Sequence, residues 1–560
     1  MTEPLLAPPA SPARPVERLL GVDDLVVATG NGRRLVDSIR FSLGVGESVG
    51  IVGESGSGKS MTARALIGLL PPGTAAQGSI TFGDSEISDL PERRLRRWRG
   101  AEIGLLMQDP FTILNPLTTA GDQLAETLRA GRTGRSARLS RAALAADVRR
   151  RLVEVGIADP GVAEKYPFEL SGGTRQRVAL AAAIARDPRL LIADEPTTAL
   201  DTTTQREVLA LLRRIQRERQ MGLLLITHDL RVAFSVCDRI LVMRAGTIVE
   251  EADPETLRTT PADAYTAGLL AADRALEAPR AAPPALTAEA PRVLLEARQV
   301  TKRFPLPRRR RRLQDWPIAL DGVDLDVVEG RSLGVVGESG SGKTTLARCI
   351  LGLEQPTSGS IRIDDLEVSR YDRLSAPDLR RARQAVQCVF QDPYSSLNPS
   401  HTIGFILAEA IRRRAGDRAS RADVTAEVVA LLDRVGLPAN HAERRPAALS
   451  GGQRQRIAIA RALAAQPRII VCDEPVSALD VSVQAQVLDV LREVQEQGVT
   501  LLFITHDLAV ARHMTDDLVV LYRGNVVEKG VTERVLTDPQ HDYTRRLLAA
   551  VPSGSPGWLG

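Results

Sequence analysis

Two stretches of this chain have the residue types to hold a polyphosphate. Gly53-Glu54-Ser55-Gly56-Ser57-Gly58-Lys59-Ser60 follows the apolar run Val49-Gly50-Ile51-Val52, and Gly337-Glu338-Ser339-Gly340-Ser341-Gly342-Lys343-Thr344 follows Val335-Val336. Both fit G-x-x-x-x-G-K-[ST]. The glycines let successive backbone N–H groups turn inward around phosphate oxygens with no Cβ in the way. A helix opening at each lysine aims its positive end at the same anion. The pattern predicts Lys59 and Lys343 on the β- and γ-phosphates, Ser60 and Thr344 on Mg²⁺, and Met61 and Thr345 beside them.

Two further patterns say what is done with the nucleotide. Leu191-Ile192-Ala193-Asp194-Glu195-Pro196 and Ile470-Val471-Cys472-Asp473-Glu474-Pro475 are apolar strands ending in a carboxylate pair. Such a strand places Asp194 or Asp473 near Mg²⁺ through water. Glu195 and Glu474 then come within reach of an attacking water, which needs a nearby carboxylate to polarise it. Leu170-Ser171-Gly172-Gly173 and Leu449-Ser450-Gly451-Gly452 each open an Ala-rich helix, a second kind of anion-binding helix start.

The elements that must position these residues come as one arrangement written twice. Lys59 and Lys343 are 284 positions apart, Gln108 and Gln391 283, Ser171 and Ser450 279, Glu195 and Glu474 279, and His228 and His506 278. A nearly constant offset means duplication of a whole domain. The expected organisation is a flexible lead at 1–17, a first domain at 18–270, an Ala/Pro-rich linker at 271–292, a second domain at 293–551 and a tail at 552–560. In each copy the order reads as short strands (Leu25-Val26-Val27 and Phe41-Ser42-Leu43 in the first), phosphate loop and helix, a hairpin strand, a helix-rich middle, then strand, helix, strand. The fold class is α/β, with a mixed or parallel sheet and a helical insertion.

Bulk properties set limits on the rest. A chain of 560 residues is too long for one ordinary core, and 43% hydrophobic with 25% charged residues is a folded composition. The net charge of +4 argues for neither nucleic acid nor membrane by itself. Cys237, Cys349, Cys388 and Cys472 are widely separated, which argues against a disulfide framework and for a reducing compartment. The first sixteen residues read as neither a signal peptide nor an anchor, and the apolar runs are strand-length, so any membrane role must come through partners. Arg308 to Arg312, a run of five arginines, reads as a solvated loop, with contact to an anionic surface as the other reading.

These motifs, found twice in order over about nine tenths of the chain, resemble those of the ATP-binding-cassette ATPases, whose signature is the L-S-G-G-x sequence. The resemblance implies tandem P-loop NTPase domains, each with a RecA-like α/β core, an antiparallel β subdomain and a helical subdomain. It implies that Gln108 and Gln391 contact Mg²⁺ and couple each site to a partner, that Asp201 and Asp480 communicate across a dimer, and that His228 and His506 contact the γ-phosphate. Family members bind ATP between two cassettes. One site would join Gly53, Ser55, Gly56, Gly58, Lys59, Ser60, Asp194, Glu195 and His228 to Ser450, Gly451 and Gly452. The other would join Gly337, Ser339, Gly340, Gly342, Lys343, Thr344, Asp473, Glu474 and His506 to Ser171, Gly172 and Gly173. The implied metal set is Ser60, Gln108 and Asp194 in one site and Thr344, Gln391 and Asp473 in the other. An aromatic often stacks on adenine near the end of an early strand. Phe304 suits that role, while Thr29 stands at the matching place in the first copy, implying a weaker adenine grip there.

The segments Gln108 to Pro116 and Gln391 to Pro399, and the tail Asp538 to Pro552, resemble the peptide and nickel importer branch. That branch implies a peripheral subunit on the cytoplasmic face of the cell membrane, fused from two ATPases. It would drive two permeases served by an extracytoplasmic solute-binding protein, using ATP and Mg²⁺. Some members hold an iron–sulfur cluster on C-terminal cysteines; none is expected here. The alternative is a soluble tandem factor acting on ribosomes or nucleic acid, against which the short linker and the lack of a long basic arm both weigh. A nucleotide-sensing scaffold without turnover is a third reading.

Overall fold

Strands that run as nearly continuous apolar stretches must be covered on both faces, and in both halves the central strands are. Ser48–Val52, Leu190–Asp194 and Gly222–Ile226 are buried throughout, as are Ser332–Val336, Ile469–Asp473 and Thr500–Thr505. The computed structural model describes residues 17–108, 113–130, 140–198, 200–278, 292–305, 316–392, 396–415, 420–477 and 479–559. The arginine run at 308–312 and parts of the two segments after Gln108 and Gln391 lie outside them.

These described residues fall into two units, one of 17–198, 208–263 and 554–559, the other of 200–207 and 264–553. The first contains a six-stranded sheet in the order Thr247–Ala252, Arg239–Arg244, Ser48–Val52, Gly222–Ile226, Leu190–Asp194, Ile103–Leu106. All neighbours are parallel except Thr247–Ala252, an antiparallel edge. The second unit repeats it as Asn525–Val531, Asp517–Tyr522, Ser332–Val336, Thr500–Thr505, Ile469–Asp473, Val386–Val389. In each, the strand leading to the phosphate loop is flanked on both sides, so the loop leaves a fixed strand end where open α/β sheets bind ligands.

A separate four-stranded antiparallel sheet accompanies each core, in the first unit Arg34–Gly44, Arg18–Thr29, Thr74–Phe82 and Ser85–Glu86. Its leading strand is twelve residues long, where the apolar pattern shows only Leu25 to Val27. A register shift between Asp23 and Val26, with Asp24 in the left-handed region at φ 51°, breaks the alternation from which its length would be read. Gln299, at φ 48°, marks the same irregularity in the second unit's leading strand, Val293–Arg303.

The helical middle of the first half is Ala120–Arg129, Arg141–Glu154 and Gly172–Ala183, each started by a hydroxyl cap from Thr119, Ser140 or Ser171. Arg151, 3% exposed, ties this part to the core by pairing with Glu154 at 3.0 Å and with Asp187, just before strand Leu190–Asp194, at 2.6 Å. The second half has Ile403–Ala415, Arg421–Arg434 and Gly451–Ala464. Helix Ala264–Glu277 packs on Val481–Glu496 and Leu508–Met514 within the second unit, burying Leu269, Leu270 and Leu276. It thereby runs into the first residues of the segment read as linker. In the first unit, the short helix Pro556–Leu559 lies against Leu230–Val236, with Trp558 buried. Among the described residues, no helix is long and apolar enough to cross a membrane.

Candidate functional site

Gly58 and Gly342 cap the helices that start at Lys59 and Lys343, with φ of 108° and 110°. Only glycine adopts such a backbone without cost, which is why the chain can turn from strand to helix in so few residues. Lys59 Nζ folds back over the loop and donates to the carbonyls of Gly53 at 2.6 Å and Glu54 at 2.9 Å. Lys343 Nζ does the same to Gly337 at 2.6 Å and Glu338 at 2.9 Å. Both lysines are 5% exposed, and burial holds the Lys343 ammonium below its usual pKa although several carboxylates oppose that effect. The Ser57 and Ser341 hydroxyls sit buried without a hydrogen-bond partner in their loops, as suits a cradle for an anion.

Each carboxylate strand delivers its acids to the same place. Ser60 Oγ donates to Asp194 Oδ1 at 3.0 Å and Thr344 Oγ1 to Asp473 Oδ1 at 3.3 Å. A hydroxyl beside a carboxylate is an all-oxygen donor set that fits Mg²⁺, an ion that keeps several waters and shares phosphate oxygens. Burial, followed by the neighbouring glutamate, raises both aspartates from their ordinary value, with Ser60 and Thr344 opposing it. A cation would reverse that effect.

Glu195 and Glu474 sit one residue on, both at φ 48°. Glu195 accepts from Gln108 Nε2 at 2.6 Å and Thr198 Oγ1 at 2.8 Å, and His228 Nδ1 lies 3.3 Å from its other oxygen. Glu474 accepts from Gln391 Nε2 at 3.1 Å, with His506 Nδ1 at 3.1 Å. Burial raises these glutamates, yet the bond and charge of the histidine, joined by the Thr198 hydroxyl at Glu195 and by the Lys343 charge at Glu474, outweigh it and hold both below their usual pKa. Burial likewise lowers His506, but Glu474 overcomes it and leaves the imidazole raised. The structure therefore brings the expected lysine, hydroxyl, aspartate, glutamate, glutamine and histidine together in each half. It places Gln108 and Gln391 on the glutamates, a contact that the sequence motifs do not show.

Other expected residues stand apart from this cluster. Ser171 and Ser450 are the N-caps of helices Gly172–Ala183 and Gly451–Ala464, with Gly172, Gly173, Gly451 and Gly452 in their first turns. Asp201 accepts from Thr204 N at 3.0 Å at the start of helix Thr202–Arg219, and Asp480 is the N-cap of Val481–Glu496. Thr29 ends strand Arg18–Thr29 and bonds Asn31 and the Arg33 carbonyl. Phe304 follows strand Val293–Arg303, and the Lys302 ammonium lies 4.9 Å from its ring centroid.

Three contributions escape motif reading. Thr198 and Ser477 are matched hydroxyls three residues after each glutamate, a signal visible only when the copies are compared. Thr202 Oγ1 donates to the His506 carbonyl at 3.0 Å within the second unit. Tyr543, 1% exposed, accepts from the phosphate-loop Glu338 N–H at 2.9 Å and stacks on Tyr522, so the C-terminal segment buttresses a phosphate loop.

Comparison with known proteins supplies the family. The ABC transporter family matches residues 36–198 and 320–477, and the oligopeptide/dipeptide transporter C-terminal region matches 527–559. The chain is 44% identical over 545 residues to the peptidoglycan transport ATP-binding protein YejF of Agrobacterium fabrum, covering 95% of this chain and 96% of that protein. It is 40% identical over 577 residues to the glutathione import ATP-binding protein GsiA of Salmonella typhimurium, covering 96% and 90%. With the oligopeptide transport ATP-binding protein OppD of Mycobacterium tuberculosis it shares 39% identity over 625 residues, covering 97% and 100%. Similarity along nearly the whole of each relative extends to the duplication itself, and the chain belongs to the ABC transporter family, as an ATP-hydrolysing importer subunit of the peptide and nickel branch with both ATPase domains in one polypeptide.

Proposed function

We propose that each half binds Mg-ATP on its own phosphate loop and that the halves pair head to tail, so that Ser450 to Gly452 complete the site of Lys59 and Ser171 to Gly173 complete that of Lys343. Ser60 with Asp194, and Thr344 with Asp473, are the residues that would hold Mg²⁺, directly or through water. The ion supplies charge neutralisation at the β- and γ-phosphates. Lys59 and Lys343 exchange their loop carbonyls for phosphate oxygens. Glu195 and Glu474 orient and polarise the attacking water, with His228 and His506 beside them for the γ-phosphate. The observation that carries this reading is the connected set of glutamine, glutamate and histidine in both halves, next to a hydroxyl–aspartate pair.

On the family's pattern, closure around ATP drives two transmembrane permeases from the cytoplasmic face, and a solute-binding protein outside supplies peptide-like cargo. The names of the relatives, for peptidoglycan, glutathione and oligopeptide transport, support a peptide-type solute. The test is reconstitution in proteoliposomes with a permease pair and a solute-binding protein of the peptide-importer type. Uptake of a short labelled peptide that needs ATP and stops in a Lys59→Ala, Lys343→Ala variant is expected. Co-sedimentation with ribosomes in place of permease binding would reverse the reading.

The two adenine sides differ. Stacking is worth about 1–3 kcal/mol per base in nucleic-acid complexes, so Phe304→Ala weakens nucleotide affinity at the second loop by about 5- to 150-fold. Thr29→Ala changes the first loop little. Titration of the full-length chain with a fluorescent ATP analogue, one loop disabled at a time through its lysine, checks both; equal losses would remove the asymmetry.

A further inference from the structure

We propose that Thr198 and Ser477 are positioning residues for the two water-activating glutamates, Thr198 through the carboxylate of Glu195 and Ser477 through the main chain of Glu474 and the glutamine that holds its carboxylate. The inference rests on the ATPase reading of Glu195 and Glu474 and adds a role that neither the nucleotide motifs nor the signature supplies.

Each glutamate sits where the chain leaves the sheet. Glu195 N–H donates to the Ile226 carbonyl at 2.8 Å and Glu474 N–H to Ile504 at 2.9 Å, the last bonds between those strands. Both then enter the left-handed region at φ 48°, an uncommon conformation for a residue with a Cβ. A turn follows, in which Thr198 N–H reaches the Glu195 carbonyl and Ser477 N–H the Glu474 carbonyl, each at 3.4 Å. This turn brings the hydroxyl back over the glutamate. Thr198 Oγ1 donates to Glu195 Oε2 at 2.8 Å. Ser477 Oγ donates to the Glu474 main-chain carbonyl at 3.2 Å and lies 3.4 Å from Gln391 Nε2, so it braces both the backbone of the glutamate and the glutamine that holds its carboxylate.

The other partners belong to different parts of the chain. Gln108 is 87 residues from Glu195 and follows strand Ile103–Leu106, whereas Thr198 shares the same turn as its glutamate. A partner on the same turn stays with the carboxylate when the glutamine exchanges to another ligand. Placement matters because a misplacement of about 1 Å in a reacting group costs about 100-fold in rate. The Thr198 hydroxyl fixes its carboxylate without carrying charge, so it forms no ion pair that would neutralise the glutamate.

The experiment uses the full-length chain, with phosphate release measured over a range of ATP concentrations and nucleotide affinity and melting midpoint measured in parallel. The double variant Thr198→Val, Ser477→Ala is expected to lose about 10- to 100-fold in kcat, with KM for ATP and nucleotide affinity within about twofold of the parent. Thr198→Ser, which keeps the hydroxyl, is expected to restore the rate at its site. An unchanged kcat in the double variant overturns the proposal. So does a serine variant as slow as the valine one, or a loss that appears in KM and affinity instead of kcat. A shape-preserving Thr198→Val alone serves if the double variant fails to fold, with the same expected and contrary outcomes. Parent protein that releases no phosphate overturns the hydrolysis reading itself, which separates that failure from this one.

Discussion

Replacing Glu195 and Glu474 together by glutamine is expected to remove phosphate release while leaving ATP bound. Glutamine keeps the size of the side chain and can still accept from Gln108, Thr198 and Gln391 through its amide oxygen. What it loses is the capacity to take a proton from water and the negative charge that His228 and His506 face at 3.3 and 3.1 Å. General-base contributions of this kind are worth about 100- to 10,000-fold, so turnover should fall to the background of a phosphate assay. Affinity should hold, because the lysines and their loops and the Ser60–Asp194 and Thr344–Asp473 pairs, which the proposed reading puts on the phosphates and Mg²⁺, are untouched. Steady-state phosphate release and equilibrium ATP binding, measured on the same preparation, check the two halves of this expectation. Wild-type turnover in the double variant would move the base to another residue.

An equally large effect is expected from a single methyl group at the start of either phosphate loop. Gly53 has φ 149°, and a Cβ there would stand 2.1 Å from the Met243 carbonyl oxygen and 3.1 Å from its carbon. At Gly337, φ 153°, the Cβ would stand 2.1 Å from the Leu521 carbonyl oxygen. Met243 and Leu521 belong to the strands beside the loop-bearing ones, so the obstacle is backbone held in a sheet and cannot swing aside. Backbone strain of about 1–3 kcal/mol and overpacking of about 1–3 kcal/mol give a loss of about 2–6 kcal/mol for Gly53→Ala or Gly337→Ala. The Gly53 and Gly337 carbonyls also hold the lysines at 2.6 Å, so nucleotide binding should go with the loop. Gly56→Ala is the control: at φ 82° it is strained, but a Cβ there meets nothing within 4 Å. It should carry the backbone strain alone, about 1–2 kcal/mol, with no clash added, and so lose less stability than the other two. Thermal melts and nucleotide titration distinguish the three; similar losses at Gly53 and Gly56 would mean that the phosphate loop is not fixed by the neighbouring strand.

Much of the chemistry was legible because it is local. A glycine loop, its lysine and the following hydroxyl are contiguous, and Asp194-Glu195 and Asp473-Glu474 end strands whose apolar runs announce burial. Duplication added a second copy against which each motif could be checked. The leading strand Arg18–Thr29 was less legible, because the irregularity at Asp24 interrupts its alternation and most of its length pairs in an antiparallel sheet. The linker segment was read from alanine and proline content, yet its first residues continue helix Ala264–Glu277, where Leu276 finds an apolar neighbourhood that composition does not display.

What the sequence determined by itself was the α/β class, the doubling of the chain, and the residue types gathered at each phosphate loop, since these follow from spacing and from polar groups standing at fixed places beside apolar runs. Only the tertiary structure decided which groups meet. Gln108 and Thr198 converge on one oxygen of Glu195 from positions 87 and three residues away. Tyr543 supports Glu338 across 205 residues. Such contacts depend on the order of strands in the sheet and on where each strand ends, and short-range pattern carries neither. The phosphate loops that open the chain's chemistry are thus written in eight consecutive residues, while the carboxylate that would work beside them is set by a turn, a glutamine and a histidine brought from separate strand ends of the parallel sheet.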